Sequence, residues 1–200
     1  MAVDLKPKPA VWLGDVANID AAGEVFHEWH PSLDVLHLSG ALDFDNQVEA
    51  AELLESFARP VFAVFDSRAQ ASTGWELIVQ AVDQVRHHKR LPVAVLLLDG
   101  LGRGLELAAM ADVAFVLPTS RVGQYGARLE SSQLATGWRW DGRRPTPGRH
   151  WNVSRERLTW LRDNSLGAEA AEHLLGLLPA DDADHAKEVF GEVVRRHPRR

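Results

Sequence analysis

At 200 residues the chain suits a single domain, and 46% hydrophobic with 25% charged residues is ordinary globular composition that excludes a disordered chain. A net charge of −6 argues against a nucleic-acid protein, and the absence of cysteine excludes a disulfide scaffold, a thiolate metal site and a cysteine nucleophile. No run approaches the ~20 apolar residues of a membrane span, and the first ten residues lack an apolar signal core. The expectation is a soluble, cytoplasmic protein with neither membrane nor nucleic acid among its partners.

Residues 1–10, with Pro7 and Pro9, read as a flexible lead-in. A core follows over 11–136. Val11–Leu13 and Val16–Ile19 suggest a small hairpin, and Ala21–Trp29 a short helix broken by Pro31. Leu33–Leu38 is a strand, ended by Ser39-Gly40. Asp43 or Asp45 can cap a helix whose apolar positions Val48, Ala51, Leu54 and Phe57 recur at helical spacing. Val61–Asp66 is a second strand and leads through a polar turn, Ser67–Gly74, to a helix over Trp75–His88. Leu91–Leu98 is a third strand; the glycine-rich turn Asp99–Gly104 then feeds a helix over Leu105–Ala111, and Val113–Leu117 is a fourth strand. Alternating strands and helices, with strands apolar throughout, predict an α/β fold with a parallel sheet covered by helices.

Residues 137–200 form the rest of the same domain. Gly137–Arg162 carries Trp138, Trp140 and Trp151 and seven arginines, and reads as an irregular basic insertion. Ala168–Leu178 and Asp184–Arg196 read as two closing helices.

Two strand-turn-helix junctions stand out, at Ser72-Thr73-Gly74-Trp75-Glu76-Leu77 and at Gly102-Arg103-Gly104-Leu105-Glu106-Leu107. A helix start presents free backbone N–H groups, and two such starts after neighbouring parallel strands lie at the same sheet edge. Converging N–H groups there would form an oxyanion hole; each junction could equally be a plain connection that needs glycine for its backbone. Gly100–Gly104 has neither a dinucleotide fingerprint nor a P-loop spacing, and His27-Glu28-Trp29-His30 lacks the spacing of a zinc motif. No metal site is expected.

The order of these pieces resembles the enoyl-CoA hydratase/isomerase (crotonase) superfamily. Leu91–Gly100, Gly102-Arg103-Gly104-Leu105-Glu106-Leu107 and Ala111-Asp112 followed by Val113–Val116 are similar to its K-P-V-I-A-A-V-N-G, G-G-G-C-E-L and C-D-I segments. Ser72–Leu77 is similar to its S-A-G-x-D-L turn, and the resemblance covers roughly Leu33–Tyr125. It implies a crotonase-like spiral of parallel strands and helices with a shortened helical C-terminal part, assembled as a trimer or hexamer. It further implies that the backbone N–H groups of Trp75 and Arg103 form the oxyanion hole, with Glu106 as acid/base and Ser72, Gly74, Gly102, Gly104 and Gly126 lining the substrate.

The chain departs from the family where the second hydratase glutamate is expected: the segment reads Gly123-Gln124-Tyr125-Gly126. One carboxylate does not support simple hydration, although Tyr125 or Glu130 could supply a proton. The resemblance therefore implies a lyase, isomerase or hydrolase acting on an acyl thioester of CoA or a carrier protein by decarboxylation, isomerisation, cyclisation or hydrolysis, with no further cofactor. Arg143 and Arg144 suit thioester phosphates, or equally a protein interface. The second reading rests on that interface: a non-catalytic accessory protein that assists a partner biosynthetic enzyme, resembling the short accessory branch of the superfamily in dihydroxyphenylacetyl-CoA biosynthesis.

Overall fold

The computed structural model describes residues 8–9, 22–67, 75–101, 103–123, 136–140, 145–150, 164–167, 171–172 and 175–196. Their strands are β1 (Lys8–Pro9), β2 (Glu24–Trp29), β3 (Asp34–Gly40), β4 (Val61–Ser67), β5 (Val93–Leu101), β6 (Val113–Gly123), β7 (Thr136–Trp140), β8 (Pro145–His150), β9 (Asn164–Gly167) and β10 (Leu178–Pro179). The helices are α1 (Phe44–Ser56), α2 (Trp75–Asp83), α3 (Arg103–Met110) and α4 (Ala183–Arg196).

Strands β3, β4, β5 and β6 run parallel in neighbouring order, with Val35, Phe62, Ala94 and Val113 side by side across the sheet. Each strand sends alternate residues to opposite faces. Leu36, Leu38, Ala63, Phe65, Val95 and Leu97 meet the buried stripes of α1, α2 and α3, whereas Val35, Phe62, Val64, Leu96 and Phe115 meet Ala186, Phe190 and Val193 of α4. Both faces are covered, which is why the central stretches of these strands, such as Val61–Phe65 and Val93–Leu98, are apolar in runs rather than at every second position. The ring of Phe62 packs 6.1 Å from both Phe115 and Phe190, tying β4, β6 and α4 together. Truncating such a buried ring costs about 3–5 kcal/mol.

Helix α1 begins where Asp43 accepts from the Asn46 N–H at 2.9 Å while the Asn46 side chain accepts from the Asp43 N–H at 3.2 Å, so Asp43 rather than Asp45 is the cap. Its buried residues are Gln47, Ala50, Ala51 and Leu54, with Val48 only half-buried. Helix α2 passes into a π-helical turn, Gln84–His88, and Lys89 then reaches the carbonyls of Glu55 and, at 2.8 Å, Phe57, at the end of α1.

Several sequence expectations are corrected. The segment expected as a helix over Ala21–Trp29 contains strand β2, antiparallel to β3. Its six residues gain partners they could not find in an isolated helix: Phe26 stacks on His37, its cross-strand neighbour, at 4.4 Å. Asp99, Gly100 and Leu101 extend β5 past a bulge to pair with Arg121, Val122 and Gly123, so the glycine-rich stretch is strand first, and α3 begins at Arg103 rather than Leu105. Strand β6 runs on to Gly123 accordingly.

Lys8 and Pro9 pair antiparallel with Ser165 and Asn164, and the other residues of the expected lead-in lie outside the described residues. The basic segment is regular in part: β7 and β8 form an antiparallel pair that sets Trp138 opposite Pro147 and Trp140 opposite Pro145. A two-stranded ribbon tolerates proline because each strand has a free edge. The helix expected over Ala168–Leu178 ends early at Gly176, whose φ of 70° suits glycine, and Leu178 and Pro179 pair in parallel with Phe115 and Val116.

Candidate active site

Because β4 and β5 are parallel neighbours, the helices that follow them, α2 and α3, start at the same edge of the sheet. Trp75 is the first residue of α2 and Arg103 the first of α3, so the backbone N–H of each belongs to a first turn that leaves it without an intrahelical acceptor.

The side chains join the two helix starts. The Trp75 indole N–H donates to Glu106 Oε2 at 3.0 Å, and Arg103 Nη1 donates to the same oxygen at 2.5 Å. The guanidinium carbon of Arg103 lies 5.9 Å from the Trp75 ring centroid. All three residues are nearly closed off from solvent, at 1% exposure for Trp75 and 8% for Arg103 and Glu106. A carboxylate this deep is sustained by a cation at contact distance and a second donor. Among the described residues Glu106 Oε1 accepts no hydrogen bond, and the buried Nε–H of Arg103 has no partner.

Packing beneath the cluster fixes it in place. Trp75 meets Phe65 of β4 edge-on at 6.0 Å and an interplanar angle of 81°. A Cβ on Gly104 would lie 2.6 Å from Phe65 Cδ1, so only glycine lets α3 approach β4 and β5 this closely. Behind α3, Asp112 accepts from Arg86 at 3.0 Å and from the Val93 N–H at 2.9 Å, pinning the turn before β6 to the start of β5.

The structure therefore brings together Trp75, Arg103, Gly104 and Glu106 of the sequence candidates. Ser72, Gly74, Gly102, Tyr125, Gly126, Glu130, Arg143 and Arg144 lie outside the described residues. Two features escaped the sequence reading. The sequence points to the backbone N–H groups of Trp75 and Arg103 and to an Arg103 guanidinium beside the ligand, whereas both side chains grip Glu106; and Phe65, the floor of the cluster, carries no local signal beyond apolarity.

The segment His27-Glu28-Trp29-His30 is engaged elsewhere. Glu28 accepts from Lys187 at 2.7 Å and meets His37 at 2.6 Å. The Lys187 hydrogen bond holds its carboxyl below the ordinary 4.5, outweighing burial, with His37 adding to the effect. Among the described residues no group of three or more His, Asp or Glu side chains is arranged to hold a metal ion. No helix among them is long and apolar enough to cross a membrane.

Solved structures match this architecture. An enoyl-CoA hydratase from Thermoplasma volcanium GSS1 superimposes with a TM-score of 0.57 at 19% identity, covering 86% of this chain and 77% of that one. A monofunctional enoyl-CoA isomerase from M. smegmatis gives 0.59 at 18% identity, covering 87% and 85%. The chain has the crotonase fold. A further crotonase-fold match, an enoyl-CoA hydratase/isomerase from Pseudoalteromonas atlantica T6c, has a TM-score of 0.62 at 12% identity, covering 86% of this chain and 75% of that one. No protein-family model matches the sequence, and no curated protein does. These likenesses establish the fold; the chemistry rests on the residues.

Proposed function

We propose that this crotonase-fold protein acts on an acyl thioester of CoA or of a carrier protein. The backbone N–H groups of Trp75 and Arg103 take the thioester oxygen as negative charge develops on it, and Glu106 moves the proton. The observation that carries this reading is the buried Trp75–Glu106–Arg103 cluster joining two helix starts at one sheet edge. Trp75 and Arg103 hold Oε2, which leaves Oε1 as the proton-accepting atom. One carboxylate serves decarboxylation, isomerisation, cyclisation or hydrolysis, and Gly126 stands where hydration would call for a second. The reaction calls for the thioester itself and no further cofactor, with water as co-reactant where it is hydrolysis.

A CoA-thioester panel with product analysis tests this. Turnover of at least one thioester that collapses in Glu106→Gln supports it; failure to bind any acyl-CoA or acyl-carrier thioester overturns it.

One observation favours a second reading. Glu106 is paired at contact distance inside the fold, which also suits a carboxylate retained to hold α2 and α3 together in an accessory protein. That reading expects no intrinsic turnover, and loss of partner-enzyme stimulation in Arg143→Ala/Arg144→Ala.

A further inference from the structure

Arginine at the head of α3 brings a donor that the proposed oxyanion chemistry does not use. Arg103 Nη1 is spent on Glu106, while its Nε–H is buried without an acceptor. Leaving such a donor unpaired costs about 1–3 kcal/mol, more when the group is charged, so a buried orphan of this kind calls for a partner. The side chain is held still: its exposure is 10%, Glu106 clamps one end, and the Trp75 ring lies 5.9 Å from the guanidinium carbon.

On the acyl-thioester reading, on which this rests, we infer that Arg103 selects acyl groups with a second, uncharged carbonyl, a 3-oxoacyl thioester, and that its Nε–H donates to the 3-oxo oxygen. Charge decides between acceptors. Glu106 already neutralises the guanidinium at 2.5 Å, and a substrate carboxylate would leave two anions sharing one cation in a nearly closed space. A ketone oxygen supplies the missing lone pair and adds no charge. It also brings no proton of its own that would need an acceptor, unlike a hydroxyl. The two carbonyl oxygens of a 3-oxoacyl group can turn to one side of the chain, and Arg103 carries two donors without a protein acceptor among the described residues, its first-turn backbone N–H and its Nε–H. No bond is made or broken in this step.

Calorimetric titration of the folded protein with acetoacetyl-, butyryl- and malonyl-CoA tests the assignment. Acetoacetyl-CoA is expected to bind about tenfold more tightly than butyryl-CoA, the worth of one hydrogen bond to a charged donor. Arg103→Lys keeps a cation opposite Glu106 and the backbone N–H but has no Nε–H; it should bring the ratio of acetoacetyl-CoA to butyryl-CoA affinity to about one. Equal affinities in the native protein overturn the proposal, and so does a preference that survives Arg103→Lys. Tightest binding of malonyl-CoA overturns it in favour of a carboxylate ligand. Should Arg103→Lys fail to fold, the native protein's ranking of the three thioesters decides alone. Binding of none of the three, and of none of the same acyl groups on a carrier protein, removes the acyl-thioester reading itself, a result distinct from binding without preference.

Discussion

The indole N–H of Trp75 and the carboxylate of Glu106 meet at 3.0 Å although the residues are 31 positions apart in sequence. That single contact binds the start of α2 to the first turn of α3, so the distance between two helix starts is set by side chains and not only by the sheet. It makes Glu106 a structural group as well as a proposed proton carrier, and the two duties can be separated.

Glu106→Gln keeps an oxygen for the indole N–H but leaves Arg103 without its counter-charge. Turnover of a thioester substrate should fall about 100-fold or more, and the unfolding free energy by about 3 kcal/mol. Combining it with Arg103→Met should recover part of the stability and none of the activity, because the pair is coupled. Denaturant titration beside steady-state kinetics gives both readings.

Gly104→Ala tests whether that glycine serves packing or substrate. The methyl would sit 2.6 Å from Phe65 Cδ1 and 3.2 Å from Leu97 Cδ2, forcing α3 off the sheet. A destabilisation of about 1–3 kcal/mol is expected from overpacking. Adding Phe65→Leu should return stability if space is the issue. Unchanged stability with weakened thioester binding would reassign Gly104 to the ligand.

Asp112→Ala removes acceptors for Arg86 and for the Val93 N–H, leaving a largely buried guanidinium and a strand-start amide to find other partners. Urea unfolding should show a loss of about 3 kcal/mol. Asp112→Asn keeps one of the two acceptor oxygens, Oδ1 for Arg86 or Oδ2 for the Val93 N–H, and should cost less than Asp112→Ala. Equal costs would show that one acceptor alone does not hold this turn.

Asp34 predicts the response to acid. Burial raises its carboxyl, but hydrogen bonds from the Arg59 backbone and side chain and from the Ala58 N–H, with the Arg59 charge, outweigh it and hold the group below its ordinary 3.8. The folded state thus binds this proton less readily than the unfolded chain. The contribution is complete above the unfolded value of 3.8 and drains away as pH falls through the lower folded value. Stability of the native protein should therefore decline from about pH 5 downward, more steeply than that of Asp34→Asn, in unfolding midpoints measured from pH 7 to 2. Parallel curves would assign the acid response to other carboxylates.

How much of this could be read from the chain follows from which forces are local. From Leu33 to Val116 the strands carry apolar runs because both sheet faces are covered, and α1 announces itself through an Asp cap ahead of apolar residues at helical spacing, so the alternation of strand and helix is legible. Strand β2 was not, since Glu24–Trp29 becomes extended only by pairing with β3. The extension of β5 through Gly100 was hidden for the same reason: its partners, Arg121–Gly123, come later in the chain and past a bulge. At the site, the positions of Trp75, Arg103 and Glu106 were legible, but the directions of the indole and guanidinium depend on Phe65 and on the approach of Gly104, which no local pattern encodes.

Strand β6 has a consequence for how the protein comes into being. Its first half lies beside β10 and its last residues beside β9, while β9 in turn receives Lys8 and Pro9 at Asn164 and Ser165. The flank of the parallel sheet is thus supplied by residues synthesised long after β3 to β5 have left the ribosome. A nascent chain halted after residue 123 would carry β6 as a bare edge, open to strands of other molecules. Translation speed and chaperone cover across residues 124–179 therefore bear on the yield of folded protein as directly as any residue of the core.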